Sequence, residues 1–357
     1  MRIGVPRELK PMEGRVGLIP AACSELSAAG HQVFVESGAG VQSGYSDADF
    51  SAAGATLTAD AASLYGSAEL IVKVKEPVDG DLRYLHGEHL LFSYLHLAAN
   101  PQLTERLCDL GLTAIAFETV QEDSGDLPLL APMSDIAGRL SVQIGANLLH
   151  HPQGGKGLLL GGLAAAERGR VTVIGAGCAG GNAARLAAAM GAQVTVFDRK
   201  RSRLDAMREL GANVTALHPY PDSLESAVVE ADLVIGAVLI PGARAPRLVT
   251  ARQVGMMQPG SVVVDISVDQ GGCIETTRPT TYQSPTYLID GVVHLAVTNM
   301  PGAVPRTASQ ALSAALIPYV LALADGGLEA NTQLQRGLNV RGGEICHPAL
   351  LSSESST

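Results

Sequence analysis

The sequence predicts an α/β fold: two doubly wound domains with mostly parallel sheets, one inserted into the other. Three observations predict it. Apolar strand-like runs alternate with helix-like segments along almost the whole chain, the pattern of a parallel sheet covered on both faces. Residues 171–198 read VTVIGAGCAGGNAARLAAAMGAQVTVFD, in which strand, glycine turn, helix, strand and acid follow in register. That unit begins near the middle of a 357-residue chain, long enough for about two domains, so a sizeable domain precedes it.

Taken in order, strands are expected at 2–5, 32–36, 69–73, 89–94 and 113–117, where β-branched and apolar residues cluster between turn residues. Helices are expected at 20–29 and 101–110. A helical pattern at 134–149 leads to the strand 171–174, the helix 182–190 and the strand 193–197. Strands at 213–217, 233–238, 261–266 and 292–297 alternate with helices at 223–231 and 251–257. A last long helical pattern occupies 307–324. The patterns at 134–149 and 307–324 read as the crossings between domains. Residues 1–133 and 305–357 then form one discontinuous substrate domain, and 134–304 the cofactor domain. The serine-rich tail from Ser352 is expected to be disordered.

Composition narrows the function. The chain is 46% apolar and 17% charged, with a net charge of −10, which disfavours nucleic acid and anionic membrane as partners. Cys23, Cys108, Cys178, Cys273 and Cys346 are odd in number and scattered, the pattern of reduced thiols rather than a disulfide frame or a metal site. The first residues enter a strand without the apolar stretch of a signal peptide. The longest apolar run, 311–324, falls short of a bilayer span. A cytoplasmic protein without a metal is the expectation.

The glycine turn carries the most specific chemistry. Gly175 permits the tight turn out of the strand, Gly177 lets backbone N–H groups approach a pyrophosphate, and Gly180 lets helix and sheet pack closely. The positive end of the following helix then faces the phosphates. Asp198 lies about 20 residues on, where a carboxylate accepts hydrogen bonds from an adenosine ribose. This is a Rossmann-like, dinucleotide-binding unit.

In the N-terminal half, Arg15 lies in the loop after the first strand, Lys75 after the strand ELIVKV, and His96 after LLFSYL. In an open parallel sheet the strand carboxyl ends share one edge, so a guanidinium, an ammonium and an imidazole converge there. Asp269 emerges from VVVDISVDQGG at a strand end of the cofactor domain. Each has a plainer reading. Such an arginine is usually a solvated charge, KVKEP can be an ordinary strand end, and a histidine between Leu95 and Leu97 is more often a satisfied core residue.

RELKPMEGRVGLIP, LIVKVKEP, FSYLHLA, LLAPMSDIAGR, VIGAGCAGGNAAR, DLVIGAVLIPGARAP, VVDISVDQGG, RPTTY and NMPGAVPRT together resemble segments of the alanine dehydrogenase family, in order and through essentially all of residues 1–340. That family shares its fold with the NAD-binding subunit of proton-translocating transhydrogenase. The transhydrogenase branch lacks the Lys75-Glu76 pair and the LHLA histidine, so the dehydrogenase branch is the better match. The resemblance implies NAD-dependent, reversible oxidative deamination of L-alanine to pyruvate and ammonium, in a homo-oligomer, a hexamer by family likeness. It implies substrate binding by Arg15 and Lys75 and acid–base chemistry by His96 and Asp269. Carried over residue by residue, it places the cofactor against Ser134, Gly175, Gly177, Cys178, Ala179 and Gly180. Asp198 and Arg203 follow at the ribose end, then Val238 and Leu239, and then Ile266, Ser267 and Val268. Arg278, Val297, Asn299 and Met300 complete the set. A dehydrogenase of another amino acid or 2-oxo acid, and a non-catalytic NAD-binding subunit, are the alternatives.

Departures from the family pattern fall near both ligands. Arg199, Lys200 and Arg201 follow Asp198 where apolar or polar residues are common, and can greet a 2′-phosphate that Asp198 itself repels. Pro219 and Tyr220 stand where serines are frequent, Arg203 replaces a lysine, and Ile19 a threonine beside the Arg15 loop.

Overall fold

The computed structural model describes residues 1–238 and 245–354. Fifteen strands are numbered here in chain order: β1 (Arg2–Val5), β2 (Gln32–Glu36), β3 (Thr56–Thr58), β4 (Leu70–Val72), β5 (Leu90–Ser93), β6 (Thr113–Ala116), β7 (Arg170–Ile174), β8 (Gln193–Phe197), β9 (Val214–Leu217), β10 (Leu233–Gly236), β11 (Val262–Asp265), β12 (Thr286–Ile289), β13 (Val292–Leu295), β14 (Leu338–Arg341) and β15 (Glu344–Ile345). They fall into two compact units: Met1–Met133 with Gly302–Thr357, and Ser134–Pro301.

The first unit holds an eight-stranded sheet in the order β15-β14-β6-β5-β4-β1-β2-β3. Strands β1 to β6 pair in parallel, whereas β14 joins β6 antiparallel and β15 closes a hairpin with β14. From β1 the chain winds outward through β2 and β3, then returns to β4 and winds the other way. The switch point, where an open α/β sheet has its crevice, lies between β1 and β4. On one face Leu64, Leu91, Leu107 and Val340 pack in a fully buried core.

The helix Pro305–Ala324 belongs to this unit. At 20 residues it outruns the apolar stretch expected to be too short, and by length and composition it passes for a membrane span. More than half of its apolar window is buried within the protein, the setting of a core helix. Its hydroxyls also do local work: Ser309 accepts the Val16 N–H at 3.0 Å and Ser313 that of Ile19 at 3.1 Å.

The second unit holds a seven-stranded sheet, β12-β13-β11-β10-β7-β8-β9, parallel except for β12. Its switch point lies between β7 and β10. The helix after the glycine turn runs Cys178–Ala189 with Gly177 as its N-cap, starting earlier than the sequence pattern implied. Val234, Val254, Val263 and Ile274 lie in its core.

Strands β1, β2 and β8 coincide with the expected runs. Strands β3, β12, β14 and β15 lacked an expectation, as did the helices Asp47–Ala52 and Ala61–Ser67. A helix spans Pro348–Glu354, and residues 355–357 of the serine-rich tail lie outside the described residues.

Candidate active site

At the carboxyl edge of the first sheet, Arg15 follows β1, Lys75 follows β4 and His96 follows β5. The three strands are neighbours, so one edge presents all three residues.

Arg15 is not a solvated charge. It is 3% exposed, and its Nε donates to Glu13 Oε1 at 2.6 Å while Nη2 donates to Oε2. Burial opposes the guanidinium charge, and the hydrogen-bonded Glu13 carboxylate more than offsets it, so the pKa is raised. One edge of the fork is therefore committed to Glu13. Nη1 meets the thioether of Met133 at 3.2 Å, a weak acceptor.

Lys75 is half-buried, and its backbone N–H donates to Glu8. His96 is no core histidine: its side chain is 43% exposed. Its backbone adopts a left-handed conformation with φ 50°, and Glu118 holds it there. One carboxylate oxygen of Glu118 accepts the His96 N–H at 2.6 Å and the Leu95 N–H at 3.2 Å. The same carboxylate lies 3.8 Å from the His96 ring Nδ1. The ring stacks on Tyr94, whose hydroxyl donates to the Leu129 carbonyl at 2.6 Å. Burial pushes the Tyr94 phenol up, which keeps it a neutral donor.

Sequence reasoning missed these carboxylates. Glu8 and Glu13 sit inside RELKPMEGR and Glu118 inside AFETV, where each resembles a surface acid. Glu8 reaches its partners across more than sixty residues of chain, a pairing that no local pattern encodes.

In the second unit the glycine turn fits a dinucleotide. Gly175 has φ 98°, and a Cβ there would lie 2.5 Å from the Ala237 carbonyl oxygen. A Cβ on Gly180 would lie 1.7 Å from the Gly175 carbonyl oxygen. At Gly177 the nearest atom to such a Cβ is an Arg203 nitrogen at 3.7 Å, so this face of the helix N-terminus is open. Asp198 Oδ2 accepts the Ala176 N–H and Oδ1 the Lys200 N–H, both at 2.8 Å, with Arg203 Nη1 3.4 Å away. Oδ2 accepts from both Ala176 and Arg203, while Oδ1 keeps a second lone pair for a further donor such as a ribose hydroxyl. Cys178 and Asn182 both donate to Asp135 beside the helix start, and Ala179 follows in its first turn.

The remaining candidates cluster past strand ends. Val238 follows β10, and its N–H donates to the Ser267 hydroxyl at 2.9 Å. Ile266, Ser267, Val268 and Asp269 lie in the short 3-10 turn after β11, Asp269 being exposed. Buried Asp265 fastens that turn by accepting the N–H groups of Ser267 and Cys273 and the Thr277 hydroxyl, and burial raises its pKa. Val297 bridges to Thr280, Asn299 has φ 62°, and the Met300 carbonyl accepts the Tyr282 hydroxyl. The Arg278 guanidinium lies 4.3 Å over the Tyr287 ring, which draws it toward that face. Ser134 is part of the helix Ala131–Leu148. Leu239 lies outside the described residues. Among the described residues no group of three acids, histidines or cysteines could hold a metal ion.

Comparison with known proteins fits this geometry. The family model for the alanine dehydrogenase/PNT N-terminal domain matches residues 4–137, and that for the alanine dehydrogenase/PNT C-terminal domain matches 141–348. The chain belongs to the alanine dehydrogenase/PNT family. Alanine dehydrogenase of Halomonas elongata is 50% identical over 355 residues, covering 98% of this chain and 96% of its own. That of Bacillus subtilis is 48% identical, covering 98% and 94%. A solved L-alanine dehydrogenase superposes with a TM-score of 0.96 at 49% identity, covering 100% of this chain and 99% of its own. The transhydrogenase of Sinorhizobium meliloti is more distant in this family, with a TM-score of 0.85 at 26% identity and 98% of this chain covered.

Proposed function

We propose that this chain is an NAD-dependent L-alanine dehydrogenase that reversibly converts L-alanine and water to pyruvate and ammonium. The observation that carries the reading is the shared carboxyl edge of β1, β4 and β5, with Arg15, Lys75 and His96 on it, in a chain similar over its length to alanine dehydrogenases.

Arg15 and Lys75 hold the substrate carboxylate, Arg15 through donors not spent on Glu13. Lys75 also favours negative charge on the carbonyl oxygen as it forms. His96, exposed at the sheet edge, takes the proton from the ammonium so that a neutral amine can release hydride from Cα. It then relays protons as water adds and ammonia leaves. Asp269 hydrogen-bonds the amine or the attacking water. NAD, when bound, supplies the hydride acceptor. The residues that would hold it are Gly175, Gly177, Gly180 and Asp198, with Cys178, Ala179 and Arg203 beside them. Ser134, Val238, Leu239, Ile266, Ser267, Val268, Arg278, Val297, Asn299 and Met300 complete the proposed set.

Reduction of NAD⁺ followed at about 340 nm, the absorbance band of the reduced nicotinamide, tests the reading with a panel of amino acids. L-Alanine is expected to be the best substrate, and pyruvate with ammonium to drive the reverse reaction. Preference for another amino acid, or cofactor binding with no turnover, would reject it. We place the enzyme in the cytoplasm as a homohexamer, on family likeness, and light scattering reads the oligomer directly.

Cofactor choice gives a second expectation. Asp198 pairs with a 2′-hydroxyl and repels a 2′-phosphate, so NAD is preferred to NADP despite Arg199–Arg201. A charge-assisted hydrogen bond contributes about 1.5–3 kcal/mol, so Asp198→Ala lowers the NAD:NADP ratio by about tenfold or more. Because Asp198 also holds the Ala176 N–H, NADH binding weakens in the same variant. An unchanged ratio would show that the carboxylate serves only the glycine turn.

A further inference from the structure

Glu8 sits where the loop carrying Arg15 crosses the end of β4. Its Oε1 accepts the Val74 N–H at 2.5 Å and its Oε2 the Lys75 N–H at 3.3 Å. The side chain is 2% exposed. Lys73 Nζ, itself 1% exposed, lies 3.5 Å from Glu8 but only 3.0 Å from Asp81. Asp81 is held in turn by the Tyr65 hydroxyl and the Val78 N–H. The buried lysine thus already has its matched carboxylate. Glu8 is a second acid that Lys73 does not need for neutrality, and leaving it ionised in the interior is costly. Burial indeed raises its pKa, with Lys73 and the Val74 N–H pulling the other way. A group kept at such cost wants a reason, and the two backbone N–H groups supply one. Lys10 and Glu76 make a second tie between the same two segments.

We propose that Glu8 is a positioning residue for the substrate carboxylate: by gripping the N–H groups of Val74 and Lys75 from the Arg15 loop, it fixes where the Lys75 side chain stands relative to Arg15. The inference rests on the reading of Arg15 and Lys75 as substrate-binding residues. Glu8 touches no substrate. It acts through the backbone of a residue that does, and misplacement of about 1 Å at such a distance can cost roughly 10²-fold in rate.

Two variants separate this role from charge compensation. Glu8→Asp keeps the charge near Lys73 but withdraws the oxygens by one methylene. Glu8→Gln loses the charge but keeps an oxygen at full reach for the shorter of the two bonds. Positioning predicts that Glu8→Asp raises KM for alanine and pyruvate about tenfold or more, with NADH affinity unchanged, and that Glu8→Gln stays nearer the parent. Amide hydrogen exchange across Val74 and Lys75, read on the protein without ligand, is expected to quicken about tenfold or more in Glu8→Asp and less in Glu8→Gln. The opposite order, with Glu8→Gln the worse, overturns the proposal in favour of a counter-ion for Lys73. Parental exchange in both variants overturns it as well. If Glu8→Asp does not fold, Glu8→Gln decides alone: a loss as large as that of Lys75→Ala overturns the proposal. A parent enzyme without alanine turnover would instead defeat the functional reading, and the exchange measurement still decides the clamp.

Discussion

His96→Ala loses about 10²-fold to 10⁴-fold in alanine turnover, the range that a positioned acid–base group contributes. NADH affinity stays at the parental level, because His96 is not among the residues proposed to hold the dinucleotide. Stability changes little, since the side chain is 43% exposed and its removal leaves no cavity. The backbone at residue 96 is left-handed, with φ 50°, a conformation that costs histidine and alanine alike about 1–2 kcal/mol through their Cβ. His96→Asn tolerates that conformation: its turnover falls as far, and its unfolding midpoint does not fall. In both variants the pH profile of deamination loses the limb that reports the imidazole. Near-parental turnover with the limb intact removes His96 from the mechanism and leaves Asp269 or Lys75 as the next candidate.

Arg15→Ala is expected to abolish most turnover and also to destabilise the protein by about 3–5 kcal/mol, the usual consequence of stripping one partner from a buried ion pair. Glu13, whose side chain is fully buried, would be left without the fork that holds both its oxygens. The double variant Arg15→Ala with Glu13→Ala removes the buried carboxylate as well. It should recover much of the stability while turnover stays lost. Arg15→Lys fails as well, because an ammonium spans neither both Glu13 oxygens nor the substrate carboxylate. Urea unfolding beside steady-state kinetics separates the effects. A single variant as stable as the parent would show that Glu13 has other support, and recovery of turnover in the double variant would exclude Arg15 from the site.

How much of this was legible depends on range. The dinucleotide unit could be read almost residue by residue, because strand, turn and helix follow one another and local sterics dictate each glycine. The expected strands at 233–238 and 261–266 overran their ends because apolar composition continues past the last paired residue, as at Ala237 and Val238 beyond β10. Strand β12 escaped because an edge strand, with only one paired side, needs no continuous apolar run. The hairpin of β14 and β15 escaped because its partner is β6, more than two hundred residues earlier. The site divided along the same line. Arg15, Lys75 and His96 were marked by their places after strands, and a family likeness raised each above its plainer reading. Their supporting carboxylates, Glu8, Glu13 and Glu118, had no such mark, since what distinguishes them is burial against distant backbone.

Chain order also sets a timetable for synthesis. The hydroxyls of Ser309 and Ser313 satisfy the N–H groups of Val16 and Ile19, immediately beyond Arg15, and Ser43 donates to the Gly14 carbonyl while lying 2.8 Å from Ser309. Those two serines leave the ribosome only after the whole of Ser134–Pro301 has been made. Domains generally fold as units as they emerge. A nascent chain therefore gains the means to grip a dinucleotide before the Arg15 loop has its final partners, so cofactor binding should precede catalytic competence in the life of each molecule.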